Sequence, residues 1–297
     1  MSGAENVTTR PFNGTHLDLK ASSIAKYVQI FESKGWSGEW IFRGQAEGWP
    51  PIPVLDRDAA LRRRGRVGLP FVEGRSSFER AILEEFRSRA RALVNPWPQD
   101  EWEVLALARH HGVPTRLLDW TEDALAALYF AVEDADADGA DSVVYGYRQI
   151  AMPRRYVGGE AFTESPGYNL AEGPLGAPTL IVYVPPHIDA RITAQSAMFT
   201  SHPAVQGPQD WPAFYQATGH CATIRIPSDA RRRIRSALHR QGLHWARFFP
   251  DLDGIGAHLC KRFLAEPWEP GSWVTSSVEP IEAATDTKGP RVKEGRE

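Results

Sequence analysis

The hydrophobic period of the chain changes partway along its length, and that change bounds the fold more tightly than any other feature. Before about residue 133 the apolar residues recur at helical spacing. Ile24, Tyr27, Val28, Ile30 and Phe31 predict a helix over 19–34 that Gly35 ends. A helix over 76–95 is expected from Phe78, Ile82, Phe86 and Leu93 on one face, with Ser76 and Glu79 as a capping box. Another runs from Asp100 to about His111, capped by Asp100 with Glu103 and stopped by Gly112 and Pro114. A fourth buries Leu125, Leu128, Tyr129 and Val132, with Thr121 as its cap. Beyond it, residues 143–147, 179–184 and 221–226 are short β-branched or aromatic runs that read as strands. Helices return at 228–241 and 251–265. Helices first and strands later, without strict alternation, predict an α+β fold in which N-terminal helices pack on a mostly antiparallel or mixed sheet.

Domain organisation follows from the same pass. Residues 1–18 are polar and expected to be loose, 19–281 form one domain, and 282–297 have little to bury. At 297 residues one large core is affordable, and a net charge of -3 excludes a globally basic nucleic-acid-coating protein. The apolar runs are too short for a membrane span, and the N-terminus lacks a signal pattern. Cys221 and Cys260 have no paired spacing, so a reducing cytoplasm is the expected setting. Tryptophans beside Gly or Pro, Trp49 among them, are expected to pin irregular loops to the core.

One segment carries most of the chemistry. Arg109 to Thr121 brings two histidines, two arginines, a carboxylate, hydroxyls and an indole together between two helices. Its likeliest companion is the apolar strand 39–43, which ends in Arg43 and is stopped by Gly44. An arginine there can fork onto a phosphate, or pair with Asp119, and a glycine beside it admits a ligand or another backbone. Arg116 has the same two readings, with the ion pair to Asp119 slightly favoured. His110 can end its helix or act as an acid–base group. Gln195, alone among small residues, can bond a ligand hydroxyl or satisfy a turn. No metal is expected, because His110 and His111 point apart on a helix and no zinc spacing occurs. Walker, GxGxxG and GxSxG patterns are absent. The arginines at 62–64 and at 231, 232, 233 and 235 read mainly as solvated surface.

Taken together, these segments resemble the FRG domain family of bacteria and their phages. The resemblance rests on Phe42-Arg43-Gly44-Gln45, on His110-x-Gly112-x-Pro114-Thr115-Arg116-Leu117-Leu118-Asp119-Trp120-Thr121 and on Ala127 to Ala131. It continues at Arg191-Ile192-x-x-Gln195-x-x-x-Phe199 and at Phe249 to Gly254. Two departures stand out: Arg109-His110-His111 replaces the usual Gln-His-Tyr, and Ala197 stands where glycine is usual. A second resemblance is to ADP-ribosyltransferases, which carry an aromatic-Arg-Gly strand end, a Ser or Thr strand end before a helix, and a Gln or Glu strand end. Arg43, Thr121 and Gln195 occur in that order.

That second resemblance implies an ADP-ribosyltransferase-like fold and an enzyme that uses NAD to modify a nucleic acid or protein, in a toxin or anti-phage role. It implies Arg43 on the pyrophosphate with Phe42, Gly44, Gln45 and Arg116 beside it. Trp120 or Tyr129 would stack on nicotinamide, Thr121 would support that pocket, and Gln195 would hold the ribose. His110 and Asp119 would assist, with Asp119, Glu160 or Glu164 standing in for the usual glutamate. A metal-independent nuclease built on His110, and a non-catalytic nucleotide- or protein-binding module, are the competing expectations.

Overall fold

The computed structural model describes residues 14–36, 40–57, 71–133, 139–150, 154–156, 173–176, 179–185, 190–203 and 211–264. It is α+β. Eight strands form one mixed sheet: β1 (His16–Lys20), β2 (Ile41–Gln45), β3 (Leu117–Thr121), β4 (Ser142–Gln149), β5 (Arg154–Tyr156), β6 (Ile181–Val184), β7 (Ala197–Ser201) and β8 (Gly219–Ile226). Their spatial order is β1-β8-β4-β2-β3-β7-β6-β5. The β1–β8 and β5–β6 pairs are parallel and the rest antiparallel. The main helices are α1 (Ile24–Lys34), α2 (Val54–Arg57), α3 (Phe71–Ala90), α4 (Glu101–His110), α5 (Ala124–Val132), α6 (Ala190–Ala194), α7 (Trp211–Gln216), α8 (Ser228–Arg240), α9 (Trp245–Phe248) and α10 (Leu252–Leu264).

The sheet has a seam. β2 pairs with β4 over five residues, and β3 pairs with β7 over five. Between β2 and β3 the only pair in register among the described residues is Phe42 with Thr121. Past that point the two strands part like a fork. Side-chain alternation then sorts the core. Ile41, Val143, Tyr145, Leu118, Trp120, Val182 and Met198 form one cluster on a face that spans both halves. On the opposite face the halves are covered separately. α1, α5, α8 and α9 cover Phe42, Val144, Ala222 and Ile224. Leu83 of α3 and Trp102, Leu105 and Ala106 of α4 cover Leu117, Ile181, Tyr183 and Phe199.

Local chemistry accounts for several element ends. Gly35 adopts φ 60° and its N–H reaches the carbonyls of Phe31 and Glu32, closing α1. Asp100 caps α4 by accepting from Glu103 N at 2.9 Å, while the Glu103 carboxylate accepts from Gln99 N at 2.7 Å. Asp123, rather than Thr121, caps α5, accepting from Leu125 N and Ala126 N at 2.8 and 3.1 Å.

Other expectations are corrected. α3 begins at Phe71, so Ser76 lies inside it and caps nothing, and Leu93, past its end, is exposed. Glu79 is not half of a capping box. It is buried and accepts from the backbone N and Nε of Arg116, both at 2.8 Å. Arg116 also donates through Nη1 to the carbonyls of Pro174 and Leu175. It therefore ties α3 to the start of β3 in the dry interior, not to Asp119. Residues 16–20 form an edge strand across the boundary expected at residue 18, and 197–201 form a strand beyond the three runs read as strands from their composition. Arg231 is buried and donates to Ala140 O, while Arg233 and Arg235 donate to the carbonyls of Ser22 and Glu133, so these arginines tie segments together. Among the described residues, no helix is long and apolar enough to cross a membrane. Residues 62–64, 160, 164 and 282–297 lie outside the described residues.

Two mutations test this core. Glu79→Ala leaves a buried guanidinium without its counter-charge and is expected to cost about 3–5 kcal/mol in urea denaturation. Gly44→Ala is expected to cost about 3 kcal/mol, because its Cβ would sit 1.9 Å from Ala127 O on α5. A wild-type-like melting curve for either variant contradicts the packing described.

Candidate functional site

The site grows from the fork. Where β2 and β3 separate, a cavity of about 600 Å³ opens. It is lined by Phe42 to Ala46 of β2 and its exit, Asp119 to Thr121 of β3, Gln195, and the aromatic residues Trp49, Phe130 and Phe249. Pro50, Ile52 and Arg57 complete the wall. The size suits a small-molecule ligand, and the mixture of apolar walls with a few polar groups is typical of such sites.

Arg43 crosses the fork. Its Nη1 donates to the Asp119 carbonyl at 2.8 Å, replacing ladder bonds the parted strands do not make. Its Nε donates to Gln45 Oε1 at 3.0 Å. Nη1 also lies 3.7 Å from Asp119 Oδ2, a loose ion pair. Nη2 has no partner among the described residues, and the side chain lines the cavity. Burial lowers the Arg43 pKa to about 10 against the opposing pull of Asp119, with Arg57 and Arg109 lowering it further. The group remains a cation at neutral pH. Gly44, beside it, admits helix α5 rather than a ligand.

Asp119 is held by Arg109. Nε of Arg109 lies 3.1 and 3.2 Å from the two carboxylate oxygens, and Nη2 lies 2.5 Å from Oδ2. Burial pushes the Asp119 carboxyl up, but the charge and hydrogen bonds of Arg109, aided by Arg43, outweigh it and hold the pKa below its ordinary value. Arg109, where the FRG pattern usually has glutamine, thus takes the role anticipated for Arg116.

Thr121 and Gln195 meet at the border of the same cavity. The Thr121 hydroxyl donates to Gln195 O at 2.6 Å and accepts from Asp123 N at 2.9 Å, so both its roles are taken. Gln195 occupies the turn between α6 and β7, where Ser196 adopts φ 45°. Its Nε2 donates to Phe248 O at 3.0 Å, and its Oε1 has no partner among the described residues.

The aromatic assignments change most. Tyr129 is fully buried, packed on Phe130 and Phe248, and does not line the cavity. Trp120 borders the cavity, but its ring is 3% exposed and its Nε1 donates to Thr200 Oγ1 at 2.8 Å. Behind it, Thr200, His202 and Tyr215 form a buried polar cluster, in which burial drives the His202 pKa down to about 3 and keeps the ring neutral. His110 ends α4 with its ring edge-on to His111, and it is not among the residues lining the cavity.

Trp49, expected as a loop anchor, has a ring that is 62% exposed at the cavity. Its carbonyl is the anchor instead, accepting from Tyr145 Oη at 2.8 Å and Gln45 Nε2 at 2.7 Å. Trp49 and Arg57 carried little sequence signal as site residues. The proline-rich loop that holds them did, because Pro50, Pro51 and Pro53 restrict the backbone there.

Residues 38–140, about a third of the chain, match the family model of the FRG domain, so the chain carries an FRG domain there. The match includes Arg43, Arg109, Asp119 and Thr121, whereas Gln195 and Phe249 lie beyond it. No curated protein and no solved structure matches the chain.

The carboxylate allows a pH test. Because the folded pKa of Asp119 is depressed, its stabilising contribution is fully present above the unfolded value of about 4 and is lost as pH falls through the lower folded value. Asp119→Asn cannot titrate. Its melting temperature is expected to lie below wild type at neutral pH and to converge with it in acid. Parallel melting-temperature curves from pH 7 to below pH 3 contradict the assignment.

Proposed function

We propose, taking the FRG domain at residues 38–140 as the starting point, that the cavity at the fork binds NAD and that the protein transfers ADP-ribose to a macromolecule. The observation that carries this reading is convergence. Arg43, Thr121 and Gln195 come from three distant segments, in the order the ADP-ribosyltransferase resemblance requires, and they border one cavity.

The parts fit the chemistry. Arg43 Nη2 and Arg57 offer guanidinium donors to a pyrophosphate. Gln195 Oε1 accepts from a ribose hydroxyl, while Thr121 holds the turn that positions Gln195. In the transfer, the bond between ribose C1 and the nicotinamide nitrogen breaks, and nicotinamide leaves with the bonding pair. The acceptor's nucleophile bonds C1 and releases its proton. Positive charge on the ribose peaks between these events, as in glycoside hydrolysis. Asp119 is the nearby carboxylate, but Arg109 and Arg43 offset its charge. Electrostatic help to the oxocarbenium is therefore weak, and positioning supplies more of the rate.

The same offset favours a second reading, a module that binds the nucleotide without turnover. A nuclease centred on His110 has less support, since that ring does not line the cavity.

Calorimetric titration with NAD, alongside nicotinamide release in the presence of lysate protein and nucleic acid, tests both readings. Wild type is expected to bind NAD, and Arg43→Ala to bind it about 10- to 100-fold more weakly, the range for a charged hydrogen bond. Slow nicotinamide release that Gln195→Ala abolishes supports transfer. Saturable binding with no release leaves only the binding module, and no binding ends the proposal.

A further inference from the structure

We infer that Trp49 and Arg57 form a subsite for the adenylate end of the ligand, so that the site recognises ADP as such. This rests on the nucleotide reading of the cavity and adds the group that selects the base.

Five aromatic rings line the cavity, and four of them are already engaged. Phe42 is buried against Phe31 and Trp36. Trp120 is buried with its N–H engaged. Phe249 is stacked on Trp245 at 4.2 Å and has the Arg191 guanidinium 5.3 Å from its ring centroid. Phe130 packs on Tyr129, Phe248 and Phe249. Trp49 alone has no ring partner among the described residues and keeps most of its surface open.

The backbone that carries this ring is held in place: two side chains grip the Trp49 carbonyl, Pro50 and Pro51 follow it, and Arg57 Nε donates to Ile52 O at 2.7 Å to close the loop. Asp56, next to Arg57, is clamped by Arg75 through bonds of 2.6 and 2.7 Å. An exposed indole on an anchored backbone offers an open face on which a flat heterocycle can stack. The Arg57 Nη groups have no partner among the described residues and line the same wall. An aromatic platform beside an unspent guanidinium is the chemistry of a base joined to phosphate. Thr121 and Gln195, the groups suited to the reacting ribose, belong to β3 and the turn before β7, whereas the Trp49 carbonyl is bonded to Gln45 and Tyr145 on the β2–β4 side. The base on Trp49 is therefore the adenine.

Titration of the full chain with ADP, NAD and nicotinamide mononucleotide decides the matter. Wild type is expected to bind ADP within about tenfold of NAD. Trp49→Ala is expected to weaken ADP about tenfold or more, with Trp49→Phe restoring most of it and nicotinamide mononucleotide little affected. Because the ring is exposed, the folded state should survive, and an unchanged melting temperature checks this. Unaltered ADP affinity in Trp49→Ala overturns the subsite. Wild type that binds NAD but not ADP overturns it while the NAD reading stands. ADP binding that depends on Trp49, without nicotinamide release, supports the subsite and removes the transfer reading. Failure to bind either nucleotide removes both.

Discussion

The contact on which the candidate site depends is the reach of Arg43 across the fork between β2 and β3. Two neighbouring strands that share one register pair leave backbone donors and acceptors unpaired along the rest of their length, which is costly when water is excluded. The guanidinium supplies a donor to the Asp119 carbonyl and so spans a gap too wide for a ladder bond. That bond adds to the Phe42–Thr121 pair and to the apolar cluster spanning both halves in relating the two strands across the cavity. The same group retains a donor facing that space, so holding the fork and meeting an anion are compatible tasks.

The charges around it are arranged in series. Arg109 fixes Asp119, Asp119 lies beside Arg43, and Arg43 and Arg57 share the cavity. Each neighbour changes what the next can do. Arg109 lowers the proton affinity of the carboxylate and weakens its field at the cavity. Burial and the nearby cations make Arg43 easier to deprotonate than a free arginine, a sign that a further negative charge would be welcome there. A ligand phosphate answers that need.

The departure of Arg109 from the usual glutamine of the FRG pattern acquires a physical meaning here. An amide at that position could hydrogen-bond Asp119 but could not cancel its charge. An arginine does both, and so holds the carboxylate fixed and ionised.

The sequence by itself determined the local decisions: that α1 stops at Gly35, that Asp100 caps α4, that a strand carries Arg43 beside Gly44 (though it runs on to Gln45), and that an α+β chain results. These depend on φ preferences, short-range hydrogen bonds and hydrophobic period, all written within a few residues. Tertiary structure decided which partner each polar group takes. Glu79 reads locally as half of a cap, yet it lies in the interior against Arg116, 37 residues on, because burying that arginine demands a carboxylate. Trp49, Trp120 and Tyr129 are aromatic residues of a loop, a strand and a helix. Whether such a ring faces core or cavity depends on what the rest of the chain packs against it, and no local pattern encodes that.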